Sequence, residues 1–155
     1  MQDLDLTIRN GTVATAADTF SADIGIKEGR VAVIARGLAS GKRDIDATGK
    51  LVLPGGVDSH CHIEQLSSNG VMTADDFYSG TVSAAYGGTT TIIPFAAQHR
   101  GMKIRDVMTD YSKRAAEKAV IDYGFHLIVS DPTEEVLTQE LPEYISKGIT
   151  SFKVY

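Results

Sequence analysis

Hydrophobic and polar positions along this chain change rhythm once, near residue 52. Up to there the period is two. Leu4, Leu6 and Ile8 alternate with Asp5, Thr7 and Arg9, and Ala22, Ile24 and Ile26 alternate with Asp23 and Gly25, the signature of strands with one buried face. Asn10-Gly11 reads as a hairpin turn and Lys27-Glu28-Gly29-Arg30 as another. Residues 31–35 resume as a strand, and Asp46-Ala47-Thr48-Gly49 breaks the pattern before Leu51. Residues 1–52 are expected to form a small antiparallel β module of four or more short strands.

Beyond residue 52, strand and helix alternate. Thr73 is expected to cap a helix from about Ala74 with Phe77, Thr81, Ala84 and Ala85 on one side, ending at Gly87-Gly88. Residues 89–95 are β-branched and apolar, as in a buried parallel strand. Residues 103–118 place Ile104, Val107, Met108, Tyr111 and Ala115 at helical spacing. The next strand lies within 120–129. Asp131-Pro132-Thr133 opens a helix, Pro142 suits the first turn of a second short one, and 149–155 is a last strand. This is the grammar of a (β/α) barrel or a doubly wound sheet over residues 53–155. Four strands are half of the eight a barrel needs, and a chain closing on an unpaired strand reads as a fragment.

Composition narrows the partners. The 155 residues suffice for one domain, or for a small domain plus part of another, and 43% hydrophobic with 23% charged residues is an ordinary globular balance. Fifteen basic against twenty acidic residues give a net charge of −5 with no basic run, which argues against a nucleic-acid partner. The acidic N-terminus is unlike a signal peptide and no apolar run reaches membrane-spanning length, so no membrane partner is expected. The lone Cys61 can form no internal disulfide, and a cytoplasmic location is expected.

Candidate chemistry begins in Leu53-Pro54-Gly55-Gly56-Val57-Asp58-Ser59-His60-Cys61-His62. In a strand, Asp58, His60 and His62 share one face and Ser59 and Cys61 the other. Two such imidazoles can hold one metal ion, with Asp58 orienting one of them from behind, or they can be ordinary loop histidines. Lys153, on one face with Ser151 and Tyr155, can reach solvent from a strand end. Turned inward beside two metal cations, its amine would go neutral and could take up carbon dioxide, becoming a carbamate that bridges both. His99 reads as a loop histidine, His126 as packed or hydrogen-bonded, Cys61 as a buried apolar residue, and Glu134, Glu135, Glu140 and Glu143 as a solvated helix face.

Three stretches, residues 53–62, Gly87-Gly88-Thr89-Thr90-Thr91-Ile92 and Gly148-Ile149-Thr150-Ser151-Phe152-Lys153-Val154-Tyr155, resemble the dihydropyrimidinase and hydantoinase branch of the amidohydrolase superfamily. Residues 6–13 and 22–27 resemble that family's N-terminal β segment, so the likeness runs over essentially the whole chain. It implies the first half of a (β/α)8 metal-dependent hydrolase barrel preceded by a small antiparallel β-sandwich segment. It also implies two divalent metal ions, usually zinc, with His60 and His62 binding one and a CO2-derived carbamate on Lys153 bridging the pair. The implied reaction is hydrolysis of the ring amide of dihydropyrimidines, hydantoins or related cyclic ureides by a metal-bridging hydroxide.

Two more histidines, the catalytic aspartate and an oxyanion-binding tyrosine would come from beyond Tyr155, which is itself too close to Lys153 to be that tyrosine. The resemblance therefore places no catalytic residue within this chain and makes the chain alone inactive. It implies a homo-oligomer, often a tetramer. A non-catalytic dihydropyrimidinase-like scaffold and an allantoinase or dihydroorotase are the alternatives. One departure bears on substrate: Ile63-Glu64-Gln65-Leu66-Ser67-Ser68-Asn69-Gly70 stands where family members commonly carry a Met-Pro-Phe-Gly-Gly type loop, leaving the ring and the enantiomer open.

Overall fold

Asn10-Gly11 does not turn the chain. In the computed structural model, which describes residues 3–155, strand β1 (Leu6–Ala14) runs straight through this dipeptide. Its pairing with β2 (Thr19–Lys27) slips there, from Ile8↔Ile24 to Gly11↔Ala22, so two residues oppose Asp23 alone. This is a bulge, and Asn10 takes the left-handed conformation it needs, φ 63°. The buried Asp23 fills the gap: its Oδ1 accepts the Asn10 N–H at 2.8 Å and its Oδ2 the Leu38 N–H at 3.0 Å. The extra residue also resets the side-chain phase, so that Ile8 and Val13, five positions apart, pack into one cluster with Ala22 and Ile24. The β1–β2 turn lies instead at Thr15–Asp18, where the Thr15 N–H donates to the Asp18 carbonyl.

The expected turn at Glu28-Gly29 is present, with φ 50° and 72° at its two central residues, and leads into β3 (Arg30–Ala35). Beyond it the expectation of an antiparallel module needs correction. Strands β4 (Arg43–Asp46) and β5 (Leu51–Val52) both lie parallel to β1, one along Leu6–Arg9 and the other along Thr12–Val13, on either side of the bulge. These five strands therefore form one mixed sheet, β3-β2-β1-β4 with β5 beside β1.

The chain divides into two compact units, Met1–Pro54 and Gly55–Tyr155. The second is a parallel sheet ordered β10-β9-β7-β6, from β6 (Gly56–Cys61), β7 (Thr89–Ala97), β9 (His126–Val129) and β10 (Phe152–Val154), with the short β8 (Asp122–Tyr123) also on β7. Helices connect successive strands, and the core lies between them and the sheet: Ile92, Ala96 and Leu127 meet Phe77, Ile104, Met108 and Ala115. Burying the apolar side of helix α2 (Ile104–Lys118) is the main source of its stability, since isolated helices of this length are marginal.

Three expectations shift here. Helix α1 (Phe77–Tyr86) starts later than Thr73, because Asp76 caps it through the Ser79 N–H and Ser79 reciprocates. The two helices expected after Asp131 run on without a break as a π-helical turn, Val136–Glu140, and helix α3 (Leu141–Ser146). The widened turn, with the Leu141 N–H donating to the Val136 carbonyl, sits where the Pro142 ring would otherwise press on the preceding turn. Nor is the acidic face wholly solvated. Glu140 is 2% exposed, and its carboxylate accepts the Ile104 N–H at 2.9 Å, capping α2 where Lys103 provides no side-chain cap.

Candidate metal centre

Strand β6 places His60 in an irregularity near its C-terminal end and His62 just beyond that end. The pairing with β7 slips between Asp58↔Ile92 and Cys61↔Pro94, so Ser59 and His60 together oppose Ile93, just before a proline that cannot donate to the ladder. Asp58, expected on the face of the imidazoles, accepts the main-chain N–H of His60 on its Oδ1 at 3.0 Å, a contact made through the His60 backbone. Cys61 lies against the core, where burial first and the Asp58 charge second push its thiol up to about 11.

The buried ring of Phe95 on β7 is the common floor of this end of the sheet. The His60 ring packs against it edge-on at 4.8 Å between centroids, the His62 ring stacks on it at 5.0 Å, and His126 lies tilted at 4.9 Å. Lys153 Nζ stands 4.7 Å above the same ring. Thus residues 60, 62 and 153, far apart in sequence, meet at one aromatic side chain at the C-terminal ends of parallel strands. Side chains gather for chemistry at this end in (β/α) barrels.

Fit to a metal depends on which donor atoms are already engaged. His126 is fully engaged: its Nε2–H donates to the Ser59 carbonyl at 2.9 Å, which leaves Nδ1 to accept from the Ser151 hydroxyl. It thereby ties the His60 strand to the Lys153 strand and is no ligand. His62 Nδ1 is bonded to Gln65 Oε1 at 2.6 Å, leaving Nε2 open. Among the described residues no hydrogen bond engages the ring nitrogens of His60 or the amine of Lys153, and the two imidazole centroids are 5.6 Å apart. Two imidazole nitrogens and an amine fit part of a divalent-metal site. No group of three histidine, cysteine, aspartate or glutamate side chains among the described residues could hold an ion.

The segment after His62 is tied down at several points that sequence reasoning did not single out. Glu64 is left-handed, φ 47°, and its side chain is 14% exposed. Its Oε2 accepts the Phe77 N–H at 3.0 Å, its Oε1 pairs with Lys118 at 2.7 Å, and Arg114 donates to its carbonyl. Thr73, expected as a helix cap, exchanges hydrogen bonds with Gln65 instead. His99 bonds the Leu66 carbonyl at 3.1 Å through Nε2. The buried Gln98 joins the ends of β7 and β9 by accepting the N–H groups of Ser130 and Asp131. A cleft of about 780 Å³ between this segment and α2, lined by Glu64, Leu66, Met72, Met102 and Asp106 among others, does not include His60, His62 or Lys153.

A curled parallel sheet with its polar cluster at the strand C-termini belongs to the α/β half-barrel class. No protein-family model matches the chain. It is 50% identical over 150 residues to a D-hydantoinase of Geobacillus stearothermophilus, covering 96% of this chain and 31% of that protein. A solved D-hydantoinase structure superposes with a TM-score of 0.92 at 46% identity, over 97% of this chain and 33% of the other. The dihydropyrimidinase of Brevibacillus agri gives 0.88 at 44% identity, over 96% and 32%. The chain is thus a homologue, in sequence and fold, of the N-terminal portion of hydantoinases and dihydropyrimidinases. It spans about a third of the length of the curated relatives it matches.

Proposed function

We propose that this chain is the N-terminal part of a metal-dependent cyclic amidase that hydrolyses the ring amide of hydantoins, dihydropyrimidines or related cyclic ureides. What carries the reading is the convergence of His60, His62 and Lys153 on Phe95, in a chain 50% identical to a D-hydantoinase. His60 and His62 would hold one ion through their unengaged nitrogens, and Lys153, as its carbamate, would reach a second. Two divalent ions, zinc in this reading, would polarise the amide carbonyl and activate water for attack on it.

The chain's own residues orient and enclose. Phe95 supplies an apolar floor that excludes water beneath both imidazoles, His126 holds the two ligand strands in register, and Asp58 fixes the His60 main chain. In this reading the group that carries the proton to the leaving nitrogen lies outside the described residues, so the chain alone should not turn over. The reading includes a small cyclic amide as substrate, a homo-oligomer and a cytoplasmic location. Among the described residues no helix is long and apolar enough to cross a membrane.

Two measurements test it. A polypeptide joining this chain to the strands that complete the barrel should purify with bound zinc and open hydantoin or dihydrouracil, and should lose both properties in His60→Ala and Lys153→Ala. Metal-free protein of correct fold would overturn the reading. Hydrolysis by the 155-residue chain alone, at a comparable rate, would overturn the claim that it lacks essential groups.

A further inference from the structure

We propose that Gln65 is a positioning residue for His62: its side-chain carbonyl fixes the imidazole as the Nδ1–H tautomer and so leaves Nε2 as the nitrogen offered to a metal. The contact is short, 2.6 Å, and a carbonyl oxygen can only accept, so the hydrogen must sit on Nδ1. The ring plane is set separately. His62 stacks on Phe95 with 16° between planes, so turning the ring over would exchange Nδ1 for a carbon and lose the bond. Orientation and tautomer are then both determined before any ion arrives, which is what a metal-binding histidine requires.

Gln65 can impose this because its own backbone is held. Its N–H donates to the Thr73 hydroxyl at 3.0 Å and its carbonyl accepts the Thr73 N–H at 3.0 Å. Its neighbour Glu64 is locked in the left-handed conformation by Arg114, Lys118 and the start of α1. The far side of the loop is closed by the Leu66↔Met72 bridge and by the Ser67 N–H donating to the Val71 carbonyl at 2.9 Å. Gln65 therefore makes the geometry of His62 depend on the fold of the whole 63–76 loop. The inference rests on the amidase reading only for the identity of the ligand.

The test uses the chain with 15N-labelled histidine and no metal. Long-range proton–nitrogen spectra should show His62 protonated on Nδ1 and bare on Nε2. Gln65→Glu, which keeps an acceptor, should preserve that pattern. Gln65→Met, of similar size but with no oxygen, should release the ring to exchange between tautomers while His99 and His126 keep their signals. Zinc titration of the same proteins should then show binding about 10–100-fold weaker for Gln65→Met than for the parent chain, and retained binding for Gln65→Glu.

A parent chain with His62 protonated on Nε2 overturns the proposal without any variant. So does an unchanged tautomer in Gln65→Met, or equal zinc binding in all three proteins, which would leave the metal reading intact. The expected tautomers with no zinc binding by any protein would support the role of Gln65 in orienting His62 and overturn the expectation that this chain's ligands hold zinc without the remaining ones.

Discussion

Replacing Glu64 should destabilise the second unit by an amount that depends on backbone freedom as well as on the lost carboxylate. The carboxylate accepts the first N–H of α1 and pairs with Lys118. Losing a charged acceptor from a largely buried N–H costs about 1.5–3 kcal/mol. The cations are not stranded by its loss: Lys118 keeps Asp76 at 3.5 Å, and Arg114 keeps Asp110 at 2.5 Å and the main-chain carbonyl of residue 64. The larger penalty of an abandoned buried charge therefore does not apply. Glu64→Ala should cost about 2–3 kcal/mol on these grounds.

Glu64→Gly loses the same carboxylate but relieves the left-handed backbone, φ 47°, worth about 1–2 kcal/mol before the greater freedom of glycine in the unfolded chain is subtracted. Glycine should thus be the milder replacement by about 1 kcal/mol, the reverse of the usual order. In urea denaturation, with a slope near 2 kcal/mol/M, the Gly variant should unfold about 0.5 M later than the Ala variant. An alanine variant as stable as the glycine one, or more so, would refute the claim that Glu64 is held in strain by its partners.

Other perturbations follow from single contacts. Asp23 has its carboxyl held below the ordinary range by the Asn10 N–H first and then by the Leu38 and Gly37 N–H groups, against the opposing effect of burial. Its stabilisation is present above the unfolded value, about 3.9, and is lost as pH falls through the lower folded one. The stability gap between the parent and Asp23→Asn, measured by denaturation across pH 2–7, should narrow on acidification; a constant gap would contradict this. In Gly55→Ala the new Cβ would lie 2.0 Å from Thr90 Oγ1 and 2.4 Å from its Cγ2, an overpacking cost of about 1–3 kcal/mol that adding Thr90→Ala should recover only in part, because the residue-90 Cβ stays 2.7 Å away. A double variant no more stable than the single would remove Thr90 from the explanation. His126→Ala should cost more than Ser151→Ala, which breaks one bond worth about 1 kcal/mol, because it also strands the Ser59 carbonyl. Equal melting temperatures for the two variants would argue against a bridge between strands.

Much of the fold is legible in the sequence where one period dominates. Ile104, Val107, Met108, Tyr111 and Ala115 sit at helical spacing and all are buried, and the apolar run from Thr89 becomes the central parallel strand. Failures fall where a distant partner decides. Asn10-Gly11 has the composition of a hairpin turn, and only the carboxylate of Asp23, across the ladder, makes it a bulge. Glu140 looks like one more solvated acid until Ile104 is brought beside it. At the candidate centre, residues 60, 62 and 153 can be read from motifs because strands deliver them at fixed spacing. Phe95, Glu64 and Gln65 cannot, because nothing local distinguishes a core phenylalanine from the ring on which three other elements converge.

The loop after His62 carries the amide that touches a candidate ligand. In (β/α) barrels the strand ends hold the reacting groups while the loops vary to shape the pocket, and the two tasks can change independently as long as no loop atom contacts a ligand. Here Gln65 makes that contact, and its backbone is tied to Thr73 and, through Glu64, to α1 and α2. A substitution that reshapes this loop for a different ring substituent would therefore also disturb the nitrogen that His62 presents. On the amidase reading, selectivity and metal geometry would be coupled through this one hydrogen bond, so altered substrate preference in loop variants of the completed barrel should be accompanied by altered metal affinity. Variants confined to Ser68, Asn69 and Gly70, beyond the bridge that closes the loop, should change preference alone.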